Sequence, residues 1–284
     1  MQSTYSPSVI ETTPSFEVFI LFQQLVQTKL GIHLSKQKRL MLGHRLSKRL
    51  LHTQNLTFDK YFQYINLPDN FQELEIALEL ITTNETFFFR EQQHFDFLER
   101  VILPEQSRNK ELKIWSAASS TGEEAYSIAM LLSDKYHAPW SISASDVNQS
   151  VLAHAQKGIY INDRAKQLPE NYKKLYCSRG IDEFEGYIRV KPSLRERVKF
   201  FRFNLINPMD ELEQFDVIFI RNVMIYFDDD TRQHIINSIS RKLKPAGYMF
   251  ISHSETLHGL QHNFEPIQPA VYQLKNSDKK VYKW

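Results

Sequence analysis

The chain has 284 residues, 42% of them hydrophobic, enough to bury one large core or two smaller ones. Its formal net charge of +2 demands no polyanionic partner, and its single cysteine, Cys177, excludes an internal disulfide framework, a multi-cysteine zinc site and dithiol redox chemistry. No apolar run approaches the length of a membrane span, and the start of the chain carries Glu11 and Glu17 without a basic leader, so a cytoplasmic protein is expected, a monomer by default.

Residues 1–14 read as a loose tail and residues 15–83 as an all-helical domain. Phe16, Phe19, Ile20, Gln23 and Leu30, then Leu40, Leu42, Leu46 and Leu50, recur there at helical spacing. Lys36, Lys38, Arg39, Arg45, Lys48 and Arg49 fall in one predicted helix of this half without a single acid. With the leucines on the packed side, the charge is expected to point outward, as a docking surface for an acidic helix rather than an idle solvated face.

From Asn84 onward, short apolar runs ending in polar residues alternate with amphipathic helices, so residues 84–284 are expected to form an α/β domain around a parallel sheet. At the junction, Thr82 to Glu91 sets Phe87, Phe88 and Phe89 beside Arg90, which suits a lid over a site or an aromatic plug. Strands are expected at Lys113 to Ala117, Ser141 to Ser145, Val198 to Phe203, Asp216 to Ile220 and Tyr248 to Ser252, with Ala270 to Leu274 and Lys280 to Trp284 as a closing hairpin. Residues 173–197 break this rhythm: Gly180 and Gly186 bracket a polar turn between Leu175-Tyr176 and Tyr187 to Val190, which predicts an antiparallel insertion.

Trp115 to Glu124 reads as a strand end, a turn of small residues and an acidic helix start. A phosphate loop would supply several glycines and a lysine, whereas this turn has only Gly122, followed by Glu123 and Glu124. The preferred ligand is therefore uncharged or cationic on that side. S-adenosylmethionine fits, because its sulfonium and ammonium are positive and its carboxylate suits a helix start. On this stretch alone, a merely capped turn is an equal competitor. Ligands of open α/β sheets sit beyond the carboxyl ends of the strands, and Asp146 follows the second strand near the spacing of a ribose-binding acid. Asn204 and Leu205 follow the third strand, where an amide and an apolar face suit an adenine ring. After the fourth, Ile220 leads into Arg221-Asn222-Val223-Met224-Ile225-Tyr226-Phe227-Asp228. Burying Arg221 and Asn222 unpaired would cost on the order of several kcal/mol, so packing explains them poorly. The fifth strand ends in Ser252-His253-Ser254-Glu255, which reads equally as a satisfied strand terminus.

Together, Asn84, Thr86, Phe88, Phe89 and Arg90, Trp115 to Glu124, Ala144 to Asp146, Lys157 to Tyr160, Arg221 to Asp228 and His253 to Glu255 resemble the motifs of the chemotaxis receptor methyltransferase family, CheR. The resemblance implies a Rossmann-like class I S-adenosylmethionine-dependent methyltransferase domain with an N-terminal all-helical domain and a small antiparallel β insertion. It implies O-methylation of glutamates on the cytoplasmic coiled coil of methyl-accepting chemoreceptors, giving methyl esters and S-adenosylhomocysteine, with no metal. Cofactor contacts carry over to Asn84, Thr86, Arg90, Glu124, Asp146, Asn204, Leu205, Ile220, Arg221 and Asn222, with Glu123 the alternative to Glu124 at the ammonium. Arg90 and Tyr226 are expected to orient the acceptor carboxylate and the cofactor, and Lys38, Arg39, Arg45, Lys48 and Arg49 to dock the substrate. In some family members the insertion binds a receptor C-terminal peptide; here the turn Arg179 to Gly186 keeps the length of those members but has Asp182 where they have an extra glycine.

The rival reading is an RNA or DNA methyltransferase whose basic helix grips phosphates. Cytosine C5 chemistry needs a thiol at a strand end, and Cys177 lies in the insertion; exocyclic-amine methylation calls for Asn/Asp-Pro-Pro-aromatic where this chain has Arg221 to Met224. No nucleic-acid partner and no membrane insertion are therefore expected.

Overall fold

The computed structural model describes residues 10–107 and 109–275. These fall into two compact units, one ending at Thr83 and including Tyr226–Asp228, the other comprising Asn84–Ile225 and the chain from Asp229 onward.

In the first unit, α1 (Phe16–Leu30) starts on Ser15, whose hydroxyl accepts the Val18 N–H at 3.3 Å, and stops at Gly31, whose φ of 72° is costly for any residue with a Cβ. It buries Val18, Phe19, Phe22, Val26 and Leu30, while Phe16 and Ile20, expected in the packed stripe, are exposed. A 3-10 turn, Lys36–Lys38, leads into α2 (Arg39–His52), which buries Leu42, Leu46 and Leu50. Leu40 does not join them: it lies two residues before Leu42, about 200° around the helix, and is 67% exposed. Helices α3 (Phe58–Ile65) and α4 (Phe71–Ile81) complete the unit. The expected loose tail needs correction over residues 10–14. Glu11 accepts the Phe58 N–H at 2.7 Å at the start of α3 and donates its own N–H to the Leu56 carbonyl, so this stretch is tied to the helices.

The second unit opens with α5 (Gln92–Phe97), a π turn (Leu98–Ile102) and the short α6 (Leu103–Glu105). It then alternates β1 (Leu112–Ala117), α7 (Glu123–Lys135), β2 (Trp140–Asp146) and α8 (Gln149–Lys157). There follow β3 (Ile159–Ile161), α9 (Glu170–Tyr176), β4 (Cys177–Arg179), β5 (Tyr187–Val190), α10 (Pro192–Arg195), β6 (Val198–Arg202) and β7 (Phe215–Ile220). The chain closes with α11 (Asp229–Lys242), β8 (Leu243–Phe250), β9 (Phe264–Gln268) and β10 (Val271–Leu274).

The main sheet has the order β6-β2-β1-β7-β8-β10-β9, with β6, β2, β1, β7 and β8 parallel and the last two antiparallel. Both faces of the central strands are covered, which is why β1 and β7 read as apolar runs rather than alternating ones. Phe219 and Phe250 stack across neighbouring strands with centroids 4.4 Å apart, and the Trp115 indole, fully buried, satisfies its N–H on Ser145 Oγ at 2.9 Å. The strand order reverses between β1 and β7, the switch point at which open α/β sheets bind ligands.

The insertion is a separate antiparallel sheet, β3-β5-β4. It starts earlier than residue 173, since β3 pairs Tyr160 with Ile188. Leu175 and Tyr176, expected in a strand, end α9 instead, and the strand begins at Cys177. Lys280 to Trp284, half of the expected closing hairpin, lies outside the described residues; β10 itself lies between β8 and β9.

Candidate cofactor site

Three of the five residues after β1 stand in the left-handed region: Ala118 (φ 63°), Ser120 (φ 51°) and Gly122 (φ 94°). Two carry a Cβ, so the turn must be held from outside. Asp146 Oδ2 accepts the Ser120 N–H at 2.9 Å, the Ser145 carbonyl accepts the Ser119 N–H at 2.8 Å, and the Ser120 hydroxyl donates to the Asn84 carbonyl at 3.0 Å. The small sheet adds the Tyr160 hydroxyl, which donates to the Thr121 carbonyl at 2.7 Å. At Gly122 a Cβ would meet Ala155 Cβ at 2.7 Å and both Phe200 and Tyr160 at 3.2 Å, so only glycine fits.

The two acids at the start of α7 diverge. Glu123 is fully buried, accepts the Thr121 hydroxyl at 2.6 Å and pairs with Arg164 at 3.0 Å. Glu124 turns to the strand ends: Oε1 accepts the Ser116 hydroxyl at 2.7 Å, and Oε2 lies 2.9 Å from Arg221 Nη1. Asn148 caps α8 by accepting the Val151 N–H at 3.1 Å, which leaves Asp146 to the turn after β1. The second Asp146 oxygen accepts the Asn148 N–H at 3.0 Å. Asn204 Oδ1 accepts the Ile206 N–H at 3.3 Å, Leu205 is buried beside it in sequence, and Phe203 ties this segment to the end of β2 by donating to the Asp146 carbonyl at 2.9 Å.

Beyond buried Ile220, Arg221 is also buried, and its Nη2 donates to the Arg90 carbonyl at 2.5 Å. Asn222 has a φ of 58° and donates from Nδ2 to Ser252 Oγ at 2.7 Å. Glu255 explains why that turn holds: its carboxylate accepts the N–H groups of Asn222, Val223, Met224 and Ser252 at 2.7 to 3.0 Å. Burial nevertheless holds its pKa above the usual carboxylate value. Within the 84–91 segment, Phe88 and Phe89 are buried plugs, packed edge-on against Tyr160 and tilted against Phe95. The Arg90 guanidinium donates to the Glu85 carbonyl at 3.0 Å and lies 5.5 Å from the Phe87 ring. Thr86 is half-buried in the same loop.

The octapeptide Arg221–Asp228 divides between the units. Tyr226–Asp228 belong with the helices, where the His33 N–H donates to the Tyr226 carbonyl at 2.7 Å and Gln27 Nε2 to Asp228 Oδ2 at 2.9 Å. The expected outward-facing cations divide as well. Arg45 donates to the carbonyls of Ile81 and Thr82 at the end of α4 at 2.5 and 2.8 Å. Arg49 makes a bidentate ion pair with Glu73, which also accepts the Tyr61 hydroxyl. Arg39 donates to the Pro14 carbonyl at 2.8 Å and lies over the Phe16 ring. These three have acceptors elsewhere in the chain and are half-buried, whereas Lys36, Lys38 and Lys48 are exposed.

Sequence reasoning passed over Arg164 and Glu91, and left Glu255 undecided. Glu255 closes the His253 to Glu255 motif and Glu91 ends the Thr82 to Glu91 segment, whereas no local pattern marks Arg164.

A parallel sheet with a switch point, a tight strand-to-helix turn and acids at the strand ends defines a methyltransferase of the Rossmann-like class. The sequence model of the CheR methyltransferase SAM-binding domain matches residues 84–272, and that of the CheR methyltransferase all-alpha domain matches residues 17–82. The chain belongs to the CheR methyltransferase family. It is 40% identical to a chemotaxis protein methyltransferase of Borreliella burgdorferi over 88% of this chain and 91% of that one. It is 39% identical to the Escherichia coli K12 chemotaxis protein methyltransferase over 90% of each. Among the described residues, no helix is long and apolar enough to cross a membrane.

Proposed function

We propose that this chain methylates glutamate side chains on the cytoplasmic coiled coil of chemoreceptors, using S-adenosylmethionine. The observation that carries the reading is the arrangement at the switch point: an uncharged turn with no room for a Cβ at Gly122, and Glu124 at the ends of β1 and β7. Ser119 Oγ, buried in that turn without a hydrogen-bond partner among the described residues, is a further group that a ligand would satisfy. Glu124 is the ammonium contact in this reading, since the Glu123 carboxylate is buried and engaged with Arg164. Asp146 serves the ribose, Asn204 and Leu205 the adenine, and Asn84, Thr86, Arg90 and the Ile220 to Asn222 segment complete the set.

When bound, the cofactor supplies an electrophilic methyl group on a sulfonium. The acceptor needs no general base, because a glutamate of ordinary pKa near ~4.3 is already ionised at neutral pH. The protein has to align that carboxylate and exclude water as charge is neutralised. Arg90 and Tyr226 orient the acceptor, and Lys36, Lys38 and Lys48 attract an acidic receptor helix. The left-handed Asp182 (φ 52°) has the backbone a glycine would adopt freely, and Ile181, Phe184 and Tyr187 are exposed around that turn. A receptor C-terminal peptide added along the small sheet is the secondary partner this suits.

Cys177 favours this reading over nucleic-acid methylation, since it is buried in β4 and burial pushes its thiol up to about 11, which suits a packed residue and not a nucleophile. The test is incubation with tritiated S-adenosylmethionine and either receptor membranes or nucleic acid, followed by alkali. Volatile, base-labile methanol from protein is expected; stable label in nucleic acid would overturn the reading.

A further inference from the structure

Glu91, His94 and His253 cluster beside Arg221, with Glu91 at its Nη2 and Glu124 at its Nη1. Glu91 adopts a φ of 61°, rare for a residue with a Cβ, and its carboxylate is closely engaged. Oε1 accepts the Ser252 hydroxyl at 3.0 Å; Oε2 lies 3.1 Å from Arg221 Nη2, accepts the His253 N–H at 3.3 Å and lies 3.4 Å from His94 Nδ1. His94 is fully buried, and burial together with the Arg221 charge holds its pKa down to about 3, so the ring is neutral. Arg221 is therefore one cation between two carboxylates, with side chains 18% (Glu91), 2% (Arg221) and 13% (Glu124) exposed. The net charge of the trio is negative.

A divalent cation is the other candidate occupant, since the ligand atoms of Glu91, His94 and His253 lie within 4.8 Å of one another. Two features oppose it. Arg221 already takes the Glu91 oxygen that would bind the ion, and the two imidazoles stack with planes 28° apart, so their in-plane lone pairs do not converge.

We propose that Glu91 is a positioning residue that, by sharing Arg221 with Glu124, leaves the three groups with a net negative charge and so biases the site toward the sulfonium-bearing donor over the neutral thioether product. This rests on the reading of Glu124 as facing the cofactor. Without Glu91, Arg221 would cancel Glu124. S-adenosylmethionine differs from S-adenosylhomocysteine by a methyl group and one positive charge, so removing one nearby negative charge weakens the first ligand more than the second. At an effective dielectric near ~20, a unit charge about 10 Å away changes binding of a second by about tenfold.

The experiment is calorimetric titration of the folded full chain with both ligands, for wild type, Glu91→Gln and His253→Lys. Glu91→Gln keeps the shape and should raise the Kd for S-adenosylmethionine about tenfold more than that for S-adenosylhomocysteine. His253→Lys places a cation beside Glu91 from the more exposed side and should move the ratio of the two constants in the same direction, whether or not the first variant folds. A general loosening of the site lowers both affinities in proportion, so an unchanged ratio in the folded variants overturns the proposal. So would added zinc that alters the wild-type ratio and leaves Glu91→Gln untouched, since the cluster would then be a cation site. Wild-type protein that binds neither ligand would instead sink the cofactor reading itself.

Discussion

Arg221 and Glu124 form an ion pair at 2.9 Å between the ends of β7 and β1, where the strand order of the sheet reverses. Both groups come from strand ends or helix starts on the rigid scaffold, and the Arg90 carbonyl accepts from the same guanidinium at 2.5 Å. Replacing Arg221 with Met leaves Glu124 without its main partner. Such losses cost on the order of 3–5 kcal/mol, so the unfolding midpoint in denaturant should fall markedly. Unchanged stability would mean the pair is an accessory of the fold.

Gly122→Ala should be nearly as damaging to the cofactor turn. The methyl group would stand 2.7 Å from Ala155 Cβ on a backbone at φ 94°. A loss of about 1–3 kcal/mol from strain and overpacking is expected, with S-adenosylmethionine affinity reduced at least tenfold. Calorimetric binding at a temperature where the variant remains folded separates the two effects.

Tyr226→Phe tests the acceptor side. Turnover with receptor membranes should slow while the Kd for S-adenosylmethionine stays within about twofold, because in the proposed role Tyr226 acts on the reacting carboxylate and not on the bound cofactor. An unaltered rate would remove Tyr226 from the mechanism.

Charge reversal tests the proposed docking role of the exposed lysines in the 3-10 turn and α2. Glutamate in place of Lys36, Lys38 and Lys48 should weaken receptor methylation several-fold at low salt. The defect should shrink as ionic strength rises, with thermal stability unchanged. Arg49→Glu should instead destabilise the helical unit by roughly 3 kcal/mol or more, because it leaves Glu73 facing a second carboxylate. Equal effects of the two sets on methylation and stability would refute the division.

Two carboxyl groups should leave opposite signatures in stability against pH. Burial raises the Glu73 pKa, but the hydrogen bonds from Arg49 and Tyr61 more than offset it, and the net shift is downward. Its contribution is present above the unfolded carboxylate value and lost as pH falls through the folded one. Glu255 shifts upward, chiefly by burial, so the folded chain holds its proton longer and stability declines as pH rises through the window above the unfolded value. Unfolding midpoints measured across the acid range for wild type, Glu73→Gln and Glu255→Gln should show the first variant flattening the acid loss and the second removing the decline.

Much of the fold was legible locally. Strands β1, β2 and β7 lay within a residue or two of their expected bounds, since a strand buried on both faces needs an apolar run and a strand end needs polar residues, whereas β8, expected at Tyr248 to Ser252, spans Leu243–Phe250. The helix assignment of Leu40 to the packed side failed on helical geometry, because Leu40 and Leu42 cannot share a narrow stripe. The basic helix misled for a different reason. Its lack of acids was real, but Glu73 lies on α4 and the acceptors of Arg45 at the end of that helix, so pairing was a long-range matter.

The sequence by itself determined the class of the protein, because the motifs that hold a strained turn, an acidic helix start and a polar strand end need particular residues at particular spacings. The tertiary structure decided which chemically equivalent residues face which way. Glu123 and Glu124 are adjacent and identical in kind, yet one is buried against Arg164 and the other stands between Ser116 and Arg221. That choice depends on where α7 places successive side chains, about 100° apart, and on partners contributed by segments some forty and a hundred residues away. No local pattern carries that information.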